Sequence, residues 1–165
     1  MVSSPVVESR KEQPYLAIHR KVNMKDIPFV LPPLIGEVKQ WIEQHNIATD
    51  CTPFFLYKSM NGNNELEATA GILVNAPATG NEHIKPGSFP QGKYATLIYT
   101  GDYNNLIEGH MTLEAYVKQN GLNEKEKKSG DVVEWGGRTE FYLTDPALEP
   151  DPLKWKTEIA FLLEE

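Results

Sequence analysis

The sequence predicts an α+β fold: a duplicated β-α-β-β unit forming two curved antiparallel sheets, related by a pseudo-twofold around a central pocket. Three observations predict it. Several short runs alternate apolar with polar residues, the period of strands. Two longer stretches, Leu34 to Ile42 and Leu106 to Val117, instead repeat apolar residues at helical spacing. The order strand, helix, strand, hairpin, strand then occurs twice.

Each element of the first half follows from local composition. Val6-Val7-Glu8 and the run from Tyr15 to Val22 read as extended segments on either side of Pro14. A linker with Asp26 and Pro28 leads to Leu31-Pro32-Pro33. The two prolines suit a first helical turn, where their missing N–H groups would have no intrahelical partner anyway. Leu34, Ile35, Val38, Trp41, Ile42 and His45 make the helical stripe, so a helix is expected from about Pro32 to about Asn46, with Trp41 on its core face. Phe54-Phe55-Leu56-Tyr57-Lys58 is a strand opened by Pro53, and Asn61-Gly62-Asn63-Asn64 turns it into a partner from Glu65 to Ile72. Ala76 to Glu82 is expected to be a surface loop, and His83-Ile84-Lys85 a short edge strand before Pro86-Gly87.

In the second half, Tyr94 to Tyr99 is a strand by its β-branched and aromatic content. Gly101 to Asn105 is a turn, and Asn105 is the expected cap of a second helix. Leu106, His110, Leu113 and Val117 form its stripe, and Gly121 stands where a helix-ending glycine belongs. His110 is the histidine of note, because it falls on that stripe. Asn123 to Gly130 reads as a charged, loose loop. In the strand that follows, alternation sends Phe141 and Leu143 to one face and Glu140 and Tyr142 to the other. Gly136-Gly137 reads as a bulge device. Trp155 to Leu162 is the last strand.

The repeat is carried by matched segments. Tyr15-Leu16-Ala17-Ile18 matches Tyr94-Ala95-Thr96-Leu97, Trp41 to Ile47 matches Tyr116 to Leu122, and Phe55-Leu56-Tyr57 matches Glu140-Phe141-Tyr142. The chain is therefore expected to be a single domain over 1–165, with one repeat over about 6–76 and the other over about 83–163. Leu66, Ala68 and Ala70, with Ile159, Phe161 and Leu163, are assigned to the helix-covered faces. The other faces then carry Phe55, Tyr57, Glu67 and Thr69 in one half, and Glu140, Tyr142 and Glu158 in the other. Meeting across a twofold, they would line a cleft of aromatics around a few carboxylates, which is the composition of a ligand pocket. Trp135 and Tyr57 are expected to stack on the ligand beside Tyr142.

Bulk composition narrows the partners. A net charge of -7 without a basic patch argues against nucleic-acid binding and favours cationic or neutral small ligands. Cys51 is the only cysteine, so no intrachain disulfide forms and a reducing compartment is expected. Met1 to Gln13 lacks the apolar core of a signal peptide, and no run has membrane-spanning length, so a soluble cytoplasmic protein is expected. His19, His45, His83 and His110 lack metal-ligand spacing, and no glycine-rich phosphate loop follows a strand into a helix, so neither metal nor cofactor is expected.

One set of motifs is more specific. Glu12-Gln13-Pro14-Tyr15-Leu16-Ala17-Ile18, Gly92-Lys93-Tyr94-Ala95 with Gly101-Asp102-Tyr103, Glu140-Phe141-Tyr142-Leu143-Thr144-Asp145-Pro146, and Trp155 with Thr157-Glu158 span nearly the whole chain. Together they resemble the GyrI-like small-molecule-binding domain, also known as the effector-binding domain of AraC-type multidrug-responsive activators. The resemblance implies two β-α-β-β repeats around a pseudo-symmetric pocket, with Glu140 at its floor and aromatic residues, Tyr103 among them, stacking on flat lipophilic ligands. It departs from the activator pattern in leaving no residues for a helix-turn-helix, so a stand-alone form is expected.

Three functions are open at this level. The first is sequestering or sensing a lipophilic, aromatic or cationic compound; a buried, unpaired Glu140 with a raised pKa would gain from a cation. The second is a hydrolase that opens cyclopropane rings of DNA-alkylating natural products, with Glu140 and Glu158 dividing acid and base roles. The third, implied by the family alone, is binding to a protein partner or to a second copy of the chain.

Overall fold

The structure, a computed structural model, describes residues 1–165. Its strands are β1 (Val6–Arg10), β2 (Gln13–Asn23), β3 (Pro53–Met60), β4 (Glu65–Leu73), β5 (Lys85–Phe89), β6 (Gly92–Thr100), β7 (Glu126–Ser129), β8 (Val132–Tyr142) and β9 (Lys156–Leu162). All nine join one sheet, in the order β1-β6-β9-β8-β3-β4-β2-β5 with β7 beside β8. Every pairing is antiparallel. The α+β class holds, but the two expected sheets are one. They fuse because β3 and β8 pair along their length, with Phe54 opposite Phe141 and Phe55 opposite Glu140.

From that seam the order runs β3-β4-β2 one way and β8-β9-β6 the other, so both halves place their strands in the same sequence. The leading strands cross over: β1 lies against β6 and β5 against β2. Pro86 falls inside β5 rather than after it, which the outer edge of the sheet tolerates because no ladder bond is needed there. β7 was not expected; the charged stretch forms an exposed hairpin arm against β8 through the Gly130-Asp131 turn.

The helices are α1 (Ile27–Val30), α2 (Pro32–Gln44) and α3 (Leu106–Gln119). Pro32 opens α2 as expected, and the one-turn α1 with Pro28 replaces the expected linker. α2 buries Leu34, Val38 and Ile42 against the first half of the sheet. α3 buries Leu106, Gly109, Leu113 and Val117 against the second. Trp41 is only partly buried; its indole N–H donates to the Thr79 carbonyl at 3.0 Å and its ring stacks on His45. Asn105 caps nothing with its side chain. Asp102 does so one turn earlier, accepting from the Asn104 N–H at 2.7 Å.

Both long helices end alike. Asn46 and Gly121 take left-handed conformations, with φ of 52° and 66°, and the next residues, Ile47 and Leu122, bond back to the carbonyls of Ile42 and Val117. On the face without helices, Tyr15, Phe54, Phe89, Tyr94 and Phe141 bury one another with Leu56 and Leu162. Six strands contribute to that cluster, which requires the sheet to curl around it. Arg10 closes one side, over the Tyr94 and Phe141 rings.

Candidate functional site

Cross-strand register decides which side chains can meet. Phe55 is opposite Ala70 and Tyr57 opposite Ala68, so the two aromatics share the helix-covered face with the alanines. Glu140 is opposite Ile159 and Tyr142 opposite Thr157, which puts both on that face as well. Glu158 is opposite Phe141, and Glu67 neighbours Ala68 along β4, so these two acids face the other way. The expected division into an apolar helix face and a polar cleft face is therefore corrected. The cleft lies on the helix side, where α2 and α3 stand apart over the seam.

There the structure forms a solvent-open cavity of about 950 Å³. Met24, Ile27, Pro28, Pro32 and Ile35 wall it from the first half, and Leu106, Ile107, His110 and Glu114 from α3. Phe55, Tyr57, Arg138, Glu140 and Tyr142 form its sheet side. Trp135 joins them because β8 carries a bulge. Between the pairs Tyr57–Arg138 and Ser59–Glu134 the register shifts, and Gly136-Gly137 lie in the extra length. Tyr103 reaches the cavity from the turn before α3, packed between Tyr142 at 5.5 Å and Trp155 at 4.8 Å between ring centres. Phe55 meets Tyr142 edge to face at 5.0 Å, which extends this aromatic arc.

Glu140 lies at the bottom, 6 % exposed. It is not the unpaired acid the sequence suggested. Oε1 accepts from the Tyr57 hydroxyl at 2.8 Å and from the Tyr142 hydroxyl at 2.6 Å. Oε2 accepts from His110 Nε2 at 2.6 Å. His110 gets there because Gly109 has no side chain: a Cβ at Gly109 would stand 2.6 Å from Ile159 Cδ1. α3 can therefore sit close on β9, within reach of β8.

Desolvating a carboxylate costs several kcal/mol, while each hydrogen bond to a charged group returns about 1.5–3 kcal/mol. Three such bonds settle the balance. Burial pushes Glu140 up, but His110 and the two phenols together hold it below the ordinary carboxylate range. The raised pKa expected for an unpaired acid is corrected accordingly. Tyr57 and Tyr142 move the opposite way, well above the ordinary phenol value, through burial first and then the adjacent Glu140 charge. The site keeps a carboxylate and two phenols in their donor–acceptor roles across the neutral pH range.

A second ionic group forms one wall. Arg138 donates to both oxygens of Glu124 at 3.0 and 2.6 Å, and to Glu114 at 2.9 Å. Its guanidinium lies 4.6 Å from the Trp135 ring centre and 4.2 Å from that of Phe161. Burial raises Glu124 despite this partner.

Of the eight residues singled out from sequence, Glu140, Tyr142, Tyr57, Phe55, Trp135 and Tyr103 come together around the cavity. Glu158 instead pairs with Arg10 at 2.7 Å on the opposite face, and Glu67 pairs with His19 at the surface. Glu140 and Glu158 are thus unable to act on one substrate. Arg138 and Glu114 are polar cavity residues the sequence reading did not place there, and His110, noted only for its position on the α3 stripe, proves to line it as well. No three His, Cys, Asp or Glu side chains converge as a metal centre requires. No helix is long and apolar enough to cross a membrane.

A curled antiparallel sheet with two helices parted over a mostly apolar cavity defines a small-molecule-binding domain. The chain belongs to the GyrI-like small molecule binding domain family, whose model matches residues 3–164. Among solved structures it is similar to the C-terminal domain of EcmrR, with a TM-score of 0.77 and 18% identity over 98% of both chains. In the EcmrR–DNA complex it spans only 57% of that protein's chain, at TM-score 0.74 and 19% identity, covering 98% of this one. It also resembles SAV2435 bound to tetraphenylphosphonium, with TM-score 0.61 and 10% identity over 98% of this chain and 94% of that one. A hydrolase from Listeria innocua shares the fold at TM-score 0.60 and 13% identity, over 97% of this chain and 91% of that one. No curated protein matches the sequence.

Proposed function

We propose that this protein sequesters or senses lipophilic cations, held in the cavity between α2 and α3 with Glu140 as the charge that selects them. The observation that carries this reading is a buried carboxylate, kept ionised by His110, Tyr57 and Tyr142, under an aromatic cavity of about 950 Å³. Aromatic rings near such an acid add cation–π attraction of about 0.5–2 kcal/mol each. The SAV2435 complex supports the reading, since a protein of this fold is seen with a bulky organic cation. The palindromic strand order and the matched helix ends support the further reading that the two halves are a duplicated β-α-β-β unit about a pseudo-twofold. The reading places the protein in the cytoplasm, with Cys51 exposed as a free thiol.

The test is thermal unfolding with tetraphenylphosphonium and related cations. Ligand at about a hundred times Kd stabilises by about 2.7 kcal/mol. That stabilisation should appear in the natural protein and fall by about half or more in Glu140→Gln. An equal shift in both proteins would remove Glu140 from the binding account.

A second reading, hydrolytic ring opening of a strained electrophile, is favoured by the Glu140–His110 pair, a combination able to take up and deliver protons. The Listeria innocua neighbour described as a hydrolase adds fold-level support. Incubation with cyclopropane-bearing alkylators should then give ring-opened product catalytically. Product formed only at the buffer rate rejects this reading and leaves binding in place.

A further inference from the structure

His110 does more than hold Glu140 ionised: it already occupies the position beside Glu140 where a ligand's positive charge would go. The imidazole sits 2.6 Å from Glu140 Oε2, with its side chain 12% exposed. Oε1 is filled by the two phenols. The phenols carry no charge, so whether Glu140 presents a net charge to the cavity is decided by the imidazole. Neutral His110, donating Nε2–H, leaves the negative charge uncompensated; imidazolium cancels it at contact distance.

The surroundings leave this role to His110. β8 presents Glu140, Tyr142 and Arg138 to it, β3 presents Tyr57, the turn before α3 presents Tyr103, and α3 itself presents Glu114. β9 contributes the apolar Phe161 ring, 6.0 Å away. The lining residues of the opposite wall, Met24, Ile27, Pro28, Pro32 and Ile35, are apolar. Arg138 is already tied to Glu124 and Glu114. The three phenols stay protonated, each raised by burial.

Resting on the binding reading above, we propose that His110 gates the selecting charge of Glu140: a cationic ligand and the imidazole proton compete for the carboxylate, so that binding a monocation to the protonated pair expels one proton from His110 to solvent. Neutral ligands of the same shape displace no proton. The pocket is thereby selective for permanent cations over neutral aromatics at higher pH and loses that preference as His110 protonates.

The experiment is calorimetric titration with tetraphenylphosphonium from about pH 5.5 to about pH 8.5, the span in which an imidazole titrates, in buffers of differing ionisation enthalpy. Below the imidazole pKa the Kd should weaken about tenfold per pH unit, with about one proton released per ligand, both effects fading above it. H110Q keeps an amide donor but cannot titrate; it should bind with a flat pH profile and release no proton. A slope retained in H110Q would assign the proton to another group, such as Glu124, and overturn the proposal. A natural protein with neither slope nor proton release would overturn it too, even if H110Q failed to fold. E140Q at about pH 8, above the ordinary imidazole range, separates the two ideas. Lost binding there with a flat wild-type profile rejects only the role of His110, whereas retained binding rejects the reading on which it rests.

Discussion

Phe55 and Glu140 are register partners across the β3–β8 seam, one from each half of the chain. At this pair the seam is thus apolar on one strand and anionic on the other. Two halves of like construction enclose a cavity whose floor is chemically one-sided, and Tyr57 and Tyr142, from opposite sides of the seam, both donate to that single acid.

The acid stability profile should carry the mark of Glu140. Its pKa is lower folded than unfolded, so its contribution is present above the ordinary carboxylate value of about 4.3 and is lost as pH falls through the folded value. Glu140→Gln should therefore lose stability at neutral pH, by about 1–3 kcal/mol, and less in acid. Urea unfolding at a series of pH values measures both; a constant difference between the proteins down to low pH would contradict the assignment.

Glu158→Gln should behave as the opposite control. Glu158 is tied to Arg10 on the face without the cavity. Its loss should reduce stability by about 0.5–1 kcal/mol, while affinity for tetraphenylphosphonium stays within about twofold. Glu140→Gln should weaken the same binding at least about tenfold, equivalent to about 1.4 kcal/mol or more.

Tyr57→Phe and Tyr142→Phe each take one donor from Oε1 of Glu140. Each should lower stability by about 1–2 kcal/mol, and the double variant should lose less than the sum, because the two phenols serve one oxygen. In the natural protein both phenols should resist ionisation well beyond the ordinary tyrosine range. Their stabilising effect is fully present below the unfolded tyrosine value and disappears as pH rises through the folded one. Phenolate absorbance during an alkaline titration reports this directly.

Arg138→Met should be the most damaging of these changes to stability. It strands Glu124, whose side chain is 9% exposed, without its two-point partner. A loss of about 3–5 kcal/mol is expected, with substantial recovery in Arg138→Met combined with Glu124→Gln. Simple additivity in that double-mutant cycle would show that the pair is not coupled.

Much of this was legible in the chain because period and punctuation are local. The prolines at α2, the glycine after α3 and the bulge at Gly136-Gly137 all act within a few residues of themselves. Face assignment is not local. Sorting residues by kind sends Phe55 and Tyr57 to a different face from Ala68 and Ala70; only the pairing of β3 with β4 shows that the four share one. The same sorting sends Glu67 and Glu158 to the cavity, whereas the register turns both away from it. Arg138 could have been found, since it shares the two-residue period of Glu140 and Tyr142 along β8. The His110 contact could not, because it depends on how closely Gly109 lets α3 approach β9. β7 was hidden by its charge: its four residues are all exposed, so no apolar alternation marks it.

The crossed leading strands have a kinetic consequence. Val6 waits for Thr96 and Gln13 for Phe89, so each half of the chain completes its perimeter with a strap from the other. Such closures span long stretches of chain and come late, since their loop entropy must be overcome before the contacts form. Neither half matures alone, and a nascent chain should stay unable to hold ligand until nearly all of it has emerged. Hydrogen exchange should show β1 and β5 as the last segments to gain protection during refolding, together with the onset of cation binding.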